Sequence, residues 1–246
     1  SRTAAKVLTY GIRRDTDVKA ENIRLTPQGA MYQAKTPQGM MELNLHLTGY
    51  FNVYNSLGVL TAALSLGIPL DIIKVGLERV TGVPGRFQQV TVPGADFSVI
   101  VDYAHTPDGL ENILQTGRGL NPRRLIVVFG CGGDRDRTKR PIMGEIAAKL
   151  ADYVIITSDN PRNEEPHQIM KDIEAGIKEV QLPIPYTMIV DREEAIRKAI
   201  DMAEAGDLIL IAGKGHENYQ IFEGNRIIHF DDREIAKAAL EERFHG

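Results

Sequence analysis

The chain has 246 residues, 43% of them hydrophobic and 25% charged, an ordinary globular balance with room for one large or two small domains. A net charge of −4 with no Lys/Arg block argues against a nucleic acid or membrane-surface partner. No apolar run approaches the ~20 residues that span a bilayer, and no signal-peptide pattern is present. The single cysteine, Cys131, excludes an internal disulfide and fits a reducing, cytoplasmic setting.

The chain opens at Ser1 and enters a predicted strand at Val7-Leu8-Thr9-Tyr10. This suggests a fragment or processed chain, with a trimmed initiator methionine as the alternative. Residues 1–48 read as β-rich: Leu43, Leu45 and Leu47 alternate with Glu42, Asn44 and His46, the period of a half-buried strand. "TPQG" occurs at 26–29 and again at 36–39, which reads as reused turn chemistry and not as a repeat. From 50 to 80 the period becomes helical through Leu57, Leu60 and Leu64, then Ile72, Ile73 and Leu77, with Gly67 and Pro69 separating two helices. "TGVPGR", 81–86, reads as a hinge or linker.

Beyond it, apolar strands alternate with helices. The predicted strands are Phe97–Val101, Leu125–Phe129, Tyr153–Ile156, Tyr186–Val190 and Leu208–Ala212. The helical stripes are Leu110/Ile113/Leu114, Ile142/Ile146/Leu150, Ile169/Ile173/Ile177 and Ala195/Ile196/Ala199. A short strand, Arg226–Phe230, and a helix from Arg233 close the chain. Such alternation predicts an α/β fold with a mostly parallel, doubly wound sheet, whose ligands bind at the carboxyl ends of the strands.

Four strand exits carry polar clusters. "VDYAHTPDG" offers Asp102, Tyr103 and His105, suited to a ribose, a base or a phosphate, while Thr106 and Pro107 read as a helix cap and first turn. "FGCGGDRDRTKRP" combines glycines with six charged residues in the seven positions 134–140, and a helix begins near Thr138, an arrangement that attracts anions. Cys131 within it reads as a small buried residue. "TSDNPRNEEP" follows the strand at 153–156, and "AGKGHENYQ" follows the strand at 208–212. The glycines at 130–133 do not complete a G-x-G-x-x-G fingerprint, because Arg135 stands where the third glycine belongs, and no G-x-x-x-x-G-K-[ST] motif occurs anywhere. Brought to one sheet edge, Arg135 and Arg162 supply carboxylate forks, Asn160 an amide, and Asp159 and Glu217 partners for an ammonium. Alternating charges of this kind match the zwitterionic end of an amino acid.

"GRF", "DYAHTPD", "FGCGGDRDRTKRP", "DNPR" and "GKGHE", in this order and spacing, resemble the Mur ligase family of peptidoglycan synthesis. The upstream "GYFNVYNSLGVLTAAL", 49–64, is similar to the end of that family's central ATPase domain. The resemblance covers essentially the whole chain. It implies that residues 1–85 are the C-terminal part of the central ATP-binding domain, strands followed by two helices, and that residues 86–246 are the Rossmann-like amino-acid-binding domain.

The reaction it implies is ATP-dependent amide formation. ATP and Mg2+ activate the D-glutamate carboxylate of UDP-N-acetylmuramoyl-L-alanyl-D-glutamate as an acyl phosphate, and the amine of an incoming amino acid attacks it. By the same resemblance Asn52, Asn55, Arg86, Asp102, Tyr103 and His105 contact the nucleotide. Arg135, Asp159, Asn160, Pro161, Arg162, Gly213 and Glu217 form the amino-acid pocket, and Lys139 and Arg140 stand on the phosphate side. The UDP-binding domain, the P-loop and the carbamylated lysine of the family have no counterpart here, so the resemblance assigns no catalytic residue and no metal ligand. The isolated chain is expected to be inactive without the N-terminal part of the same ligase. By the same resemblance Asp159-Asn160-Pro161-Arg162 implies meso-diaminopimelate as the amino acid, and Arg162 offers a fork for its second carboxylate. A lysine-adding ligase is the alternative within the family, and a stand-alone amino-acid or nucleotide-binding module is the alternative outside it. "DNPR" with "GKGHE" argues against a folylpolyglutamate synthetase.

Overall fold

A computed structural model describes Ala5, residues 7–181 and residues 184–245. The chain packs as two compact units, Ser1–Gly82 and Val83–Gly246, divided just ahead of the boundary expected at residue 85.

In the first unit β1 (Tyr10–Gly11), β2 (Val18–Thr26), β3 (Gly29–Thr36) and β4 (Gly39–Leu45) form one sheet in chain order. The expected strand at 7–10 shrinks to Tyr10–Gly11 because the Asp17 carboxylate takes the Thr9 amide at 2.8 Å and its hydroxyl at 2.7 Å. Both "TPQG" stretches form hairpin turns, pairing Thr26 with Gly29 and Thr36 with Gly39. In each the threonine hydroxyl donates to the glycine carbonyl, at 3.3 and 2.8 Å. Helices α1 (Tyr50–Ser65) and α2 (Leu70–Glu78) bury Val53, Leu57, Leu60 and Ile73 against Tyr32, Leu43 and Leu45. Ile72, expected on that face, is exposed.

The second unit contains β5 (Gln88–Val90), β6 (Ser98–Asp102), α3 (Pro107–Gly119), β7 (Leu125–Phe129), α4 (Lys139–Leu150), β8 (Tyr153–Ile156), α5 (Pro166–Lys178), β9 (Tyr186–Met188), α6 (Arg192–Met202) and β10 (Leu208–Ala212). The hairpin β11 (Tyr219–Phe222) and β12 (Arg226–His229) and the helix α7 (Asp232–His245) follow. The six-stranded sheet runs β5-β6-β10-β7-β8-β9. Its strands are parallel except β5, which pairs antiparallel with β6. One face packs Ile100, Val127, Phe129, Val154 and Leu210 against α3, α4 and α5. The other packs Val99, Ile126, Val128, Ile155 and Ile209 against α6 and α7. Burial on both faces explains why these strands read as continuous apolar runs.

Two expectations are corrected. The closing strand at 226–230 pairs with β11 in a separate two-stranded sheet, and β11 had no sequence signal of its own. Helix α4 buries Met143, Gly144, Ala147 and Ala148, while Ile142 is exposed. The reason is the closeness of α5: a Cβ on Gly144 would lie 2.1 Å from the Ile173 carbonyl oxygen, and one on Gly176 would lie 1.8 Å from that of Pro141. Small residues occupy the contact, Ile142 turns outward, and Ile146 packs half-buried against the core.

Gly176→Ala is therefore expected to destabilise by about 1–3 kcal/mol, because the neighbour is backbone and cannot swing away. In contrast, Gly76 in α2 has open space around it, and Gly76→Ala should stabilise by about 0.5–1 kcal/mol. Urea denaturation followed by far-UV circular dichroism reads both, and equal effects would refute the packing argument.

Candidate amino-acid and nucleotide sites

The strand order places the exits of β6, β10, β7 and β8 side by side at the carboxyl edge of the second unit's sheet. A buried ion pair ties two of them. Arg192 meets Asp232 at 2.7 and 2.8 Å and donates to the carbonyls of Ser158, after β8, and Ala212, ending β10, at 3.2 and 3.0 Å. Both side chains are fully buried.

The loops after β7 and β8 are clasped together. Gly133 donates its amide to the Asn160 carbonyl at 2.9 Å and accepts from Arg162 Nη1 at 2.8 Å. A Cβ on Gly133 would lie 1.9 Å from the Pro161 carbonyl oxygen, so no other residue permits this approach. Glu164 reinforces the clasp, accepting the Asp134 amide at 2.6 Å and two bonds from Arg140 at 2.9 and 3.0 Å. The Arg140 guanidinium bonds lower the Glu164 pKa first, with the Asp134 amide assisting. Arg162 itself has a φ of 52°, an uncommon value for a side-chain-bearing residue. Its amide is held by the Ile221 carbonyl at 3.1 Å.

Around this clasp the expected amino-acid residues converge. Gly132 lies between Arg162 and Arg135, with a hypothetical Cβ 2.9 Å from Arg162 Nη1 and 3.7 Å from Arg135 Cγ. Asp159 and Asn160 are buried, and Glu217 is partly exposed. Asn160 donates to Glu217 at 3.3 Å and accepts from the Ile221 amide at 3.0 Å. Gly213 backs onto Asp159, its hypothetical Cβ 3.5 Å from Oδ2. Arg135 is exposed and bonds to the adjacent Asp134 carbonyl at 3.0 Å.

Two residues outside the expected set join them. Lys214 is fully buried, with Nζ 3.5 Å from Asp159 Oδ1, 3.2 Å from Asn160 Oδ1 and 3.3 Å from Glu217 Oε2. Tyr219 lies under it, the ring centroid 5.5 Å from Nζ. The Glu217 carboxylate raises the Tyr219 pKa above its ordinary value, burial adds to this, and Arg162 opposes it. In the sequence Lys214 is one lysine between two glycines, and nothing local signals its burial.

A second cluster forms at the exit of β6. Arg86 stacks over the Tyr103 ring at 5.1 Å, and the rings of His105 and His216 lie 4.6 and 5.4 Å from it. Lys139 donates to the His105 carbonyl at 2.6 Å. This cationic and aromatic surface suits stacking on a base and pairing with phosphate. His216, absent from the expected set, enters because Gly85 fits tightly against the 215–216 backbone: a Cβ there would lie 2.1 Å from the His216 nitrogen.

Three expected residues have internal partners. Asp102 accepts the Phe87 amide at 2.6 Å and the Ala104 amide at 2.7 Å, so it shapes the hinge turn. Burial raises its pKa despite these bonds. Arg140, expected on the phosphate side, is fully buried and paired with Glu164 and with Asp172 at 2.8 Å. Its charge is consumed internally. Asn52 bonds back to the Thr48 carbonyl at 2.9 Å in the first turn of α1, and Asn55 is exposed three residues on. These two asparagines share a helix face in the first unit. Cys131 packs against Met143 Sδ at 3.7 Å, and burial pushes its thiol up to about 12, which leaves it inert as a nucleophile. Among the described residues no three His, Cys, Asp or Glu side chains converge to hold a metal ion, and no helix is long and apolar enough to cross a membrane.

Comparison with known proteins agrees with this layout. Residues 85–215 match the family model "Mur ligase, glutamate ligase domain", and residues 1–63 match "Mur ligase middle domain". The UDP-N-acetylmuramoyl-L-alanyl-D-glutamate--2,6-diaminopimelate ligase of Geobacillus thermodenitrificans is 53% identical over 98% of this chain, and that of Syntrophomonas wolfei is 51% identical over 94%. These alignments cover 48% and 47% of the relatives, so the chain spans about half their length. A solved structure titled as a ligase of the same name superposes with a TM-score of 0.74 at 38% identity, covering 98% of this chain and 49% of that one. The strand-exit motifs, the sheet that gathers them and a family model spanning more than half of the residues agree: the chain belongs to the Mur ligase family.

Proposed function

We propose that this chain is the amino-acid-binding part, with the tail of the central ATP-binding domain, of an ADP-forming ligase. That ligase joins meso-diaminopimelate to UDP-N-acetylmuramoyl-L-alanyl-D-glutamate in peptidoglycan synthesis. In this reading residues 1–85 belong to the central domain and residues 86–246 to the C-terminal domain. ATP converts the D-glutamate carboxylate to an acyl phosphate; the amine of meso-diaminopimelate attacks it, and an amide, ADP and phosphate result. The nucleotide-linked precursor and ATP place the reaction in the cytoplasm. The magnesium that the family implies would draw its ligands mostly from the N-terminal part of the same ligase.

The observation that carries this reading is the gathering of strand-exit groups: Arg162 and Arg135 flank Gly132, and Asp159, Asn160 and Glu217 surround Lys214 beside them. Forked donors beside anionic acceptors complement one carboxylate and one ammonium on the same carbon. The names of the relatives support the diacid. In the second cluster Arg86, Tyr103, His105, His216 and Lys139 suit the nucleotide.

Ligand-observed NMR on the chain tests the reading. The expected result is saturable binding of meso-diaminopimelate, weaker binding of L-lysine, and no ATP-dependent amide formation, because no P-loop motif is present. Equal affinity for both amino acids would favour the lysine-adding reading. Failure to bind meso-diaminopimelate at millimolar concentration would overturn the pocket assignment.

A further inference from the structure

Lys214 poses a physical problem. A lysine without solvent contact is rare, and holding its charge there requires partners. It has three oxygen partners, the side chains of Asp159, Asn160 and Glu217. Two of them are the groups that a ligand ammonium would use. The same contact turns the Asn160 amide: its oxygen receives Lys214 and the Ile221 amide, which leaves its nitrogen toward Glu217 at 3.3 Å.

We propose that Lys214 is a specificity-determining residue of the amino-acid pocket: its buried ammonium occupies part of the carboxylate charge of Asp159 and Glu217, so the pocket accepts a zwitterionic end group and rejects a bare ammonium. This rests on the amino-acid reading of the pocket given above. Lys214 stands between the two carboxylates, Asp159 and Glu217, and Arg162 and Arg135 flank Gly132 in the neighbouring loop. The neighbouring Arg192 is neutralised by Asp232 and adds no net charge. A bare ammonium entering this ground meets carboxylates already engaged by Lys214, so its attraction to Glu217 is shared with that cation. A zwitterion brings its own carboxylate, which is drawn to Arg162 and Arg135 and cancels most of the repulsion. Charge falls off more slowly with distance than a dipole, so Lys214 penalises the bare cation far more than the zwitterion. Arg162 attracts the correct end group, and Lys214 supplies the repulsion against the wrong one.

Three probes separate the contributions. L-norleucine presents a zwitterion, n-pentylamine is the same chain without the carboxylate, and hexanoate is the same chain without the amine. With the chain as it stands, meso-diaminopimelate and norleucine are expected to bind, hexanoate more weakly, and pentylamine least. In Lys214→Met, pentylamine should gain roughly tenfold relative to norleucine, and Lys214→Arg should keep the original order. Circular dichroism confirms that each variant is folded. Pentylamine outranking hexanoate in the unmodified chain would overturn the proposal, and that comparison needs no variant. A folded Lys214→Met with an unchanged pentylamine-to-norleucine ratio would reduce Lys214 to a packing role. Absence of meso-diaminopimelate binding in the unmodified chain would instead sink the amino-acid pocket itself, and this role with it.

Discussion

Asp232→Ala is expected to lower the stability of the chain by about 3–5 kcal/mol, because it strands the Arg192 guanidinium as an unpaired buried charge. Arg192 and Asp232 are both fully buried, and Arg192 is the bridge between the ends of β8 and β10. Loss of the pair therefore loosens the sheet edge that carries Asp159, Asn160 and Gly213. Arg192→Met with Asp232→Leu should recover part of the loss, since apolar replacement of a whole buried pair is often neutral. Recovery will be incomplete because the Ser158 and Ala212 carbonyls lose their donor. The chain contains no tryptophan, so urea unfolding is followed by far-UV circular dichroism, and hydrogen exchange at the β10 amides assigns the loss to this edge. A cost below about 1 kcal/mol for Asp232→Ala would show that the pair does not hold the exits.

Arg162→Gly is expected to weaken meso-diaminopimelate binding about 10- to 150-fold, the effect of losing charge-assisted hydrogen bonds of roughly 1.5–3 kcal/mol. Arg162 Nη1 is engaged by the Gly133 and Asn160 carbonyls at 2.8 and 3.4 Å. Among the described residues Nε and Nη2 have no hydrogen-bond partner, and this edge is the one that can grip a carboxylate side-on. Glycine is the informative replacement because the φ of 52° costs it nothing, whereas a strained non-glycine residue costs on the order of 1–3 kcal/mol. Relief of that strain offsets the loss of the two Nη1 bonds, so the variant should lose affinity with little change in stability. Isothermal titration with meso-diaminopimelate and thermal melting separate the two effects. Unchanged affinity would remove Arg162 from the pocket, and a matched fall in stability would mean that the residue mainly supports the loop.

Much of this molecule was legible in the sequence. β7, β8 and β10 run over the residues expected from their apolar stretches, because a strand buried on both faces must be apolar throughout. Thr106 and Pro107 open α3 as their chemistry predicts, with the Thr106 hydroxyl accepting the Gly109 amide at 3.2 Å. The strand-exit motifs named the candidate ligand-binding residues, because parallel sheets present ligands at their carboxyl edge. Which of those residues are free to bind was decided only by the tertiary structure. Arg140, Asp102 and Lys214 look alike in sequence as charged groups within strand-exit motifs. Arg140 becomes a buried tie, Asp102 a turn former and Lys214 an internal counter-ion, through partners 15 to 55 residues away. The exposed Ile142 and the small buried face of α4 follow from a helix crossing that no single helix encodes. Local periodicity records what one element needs from its own surroundings. The pairing of charges and the fit of small residues depend on which distant elements the sheet order brings into contact.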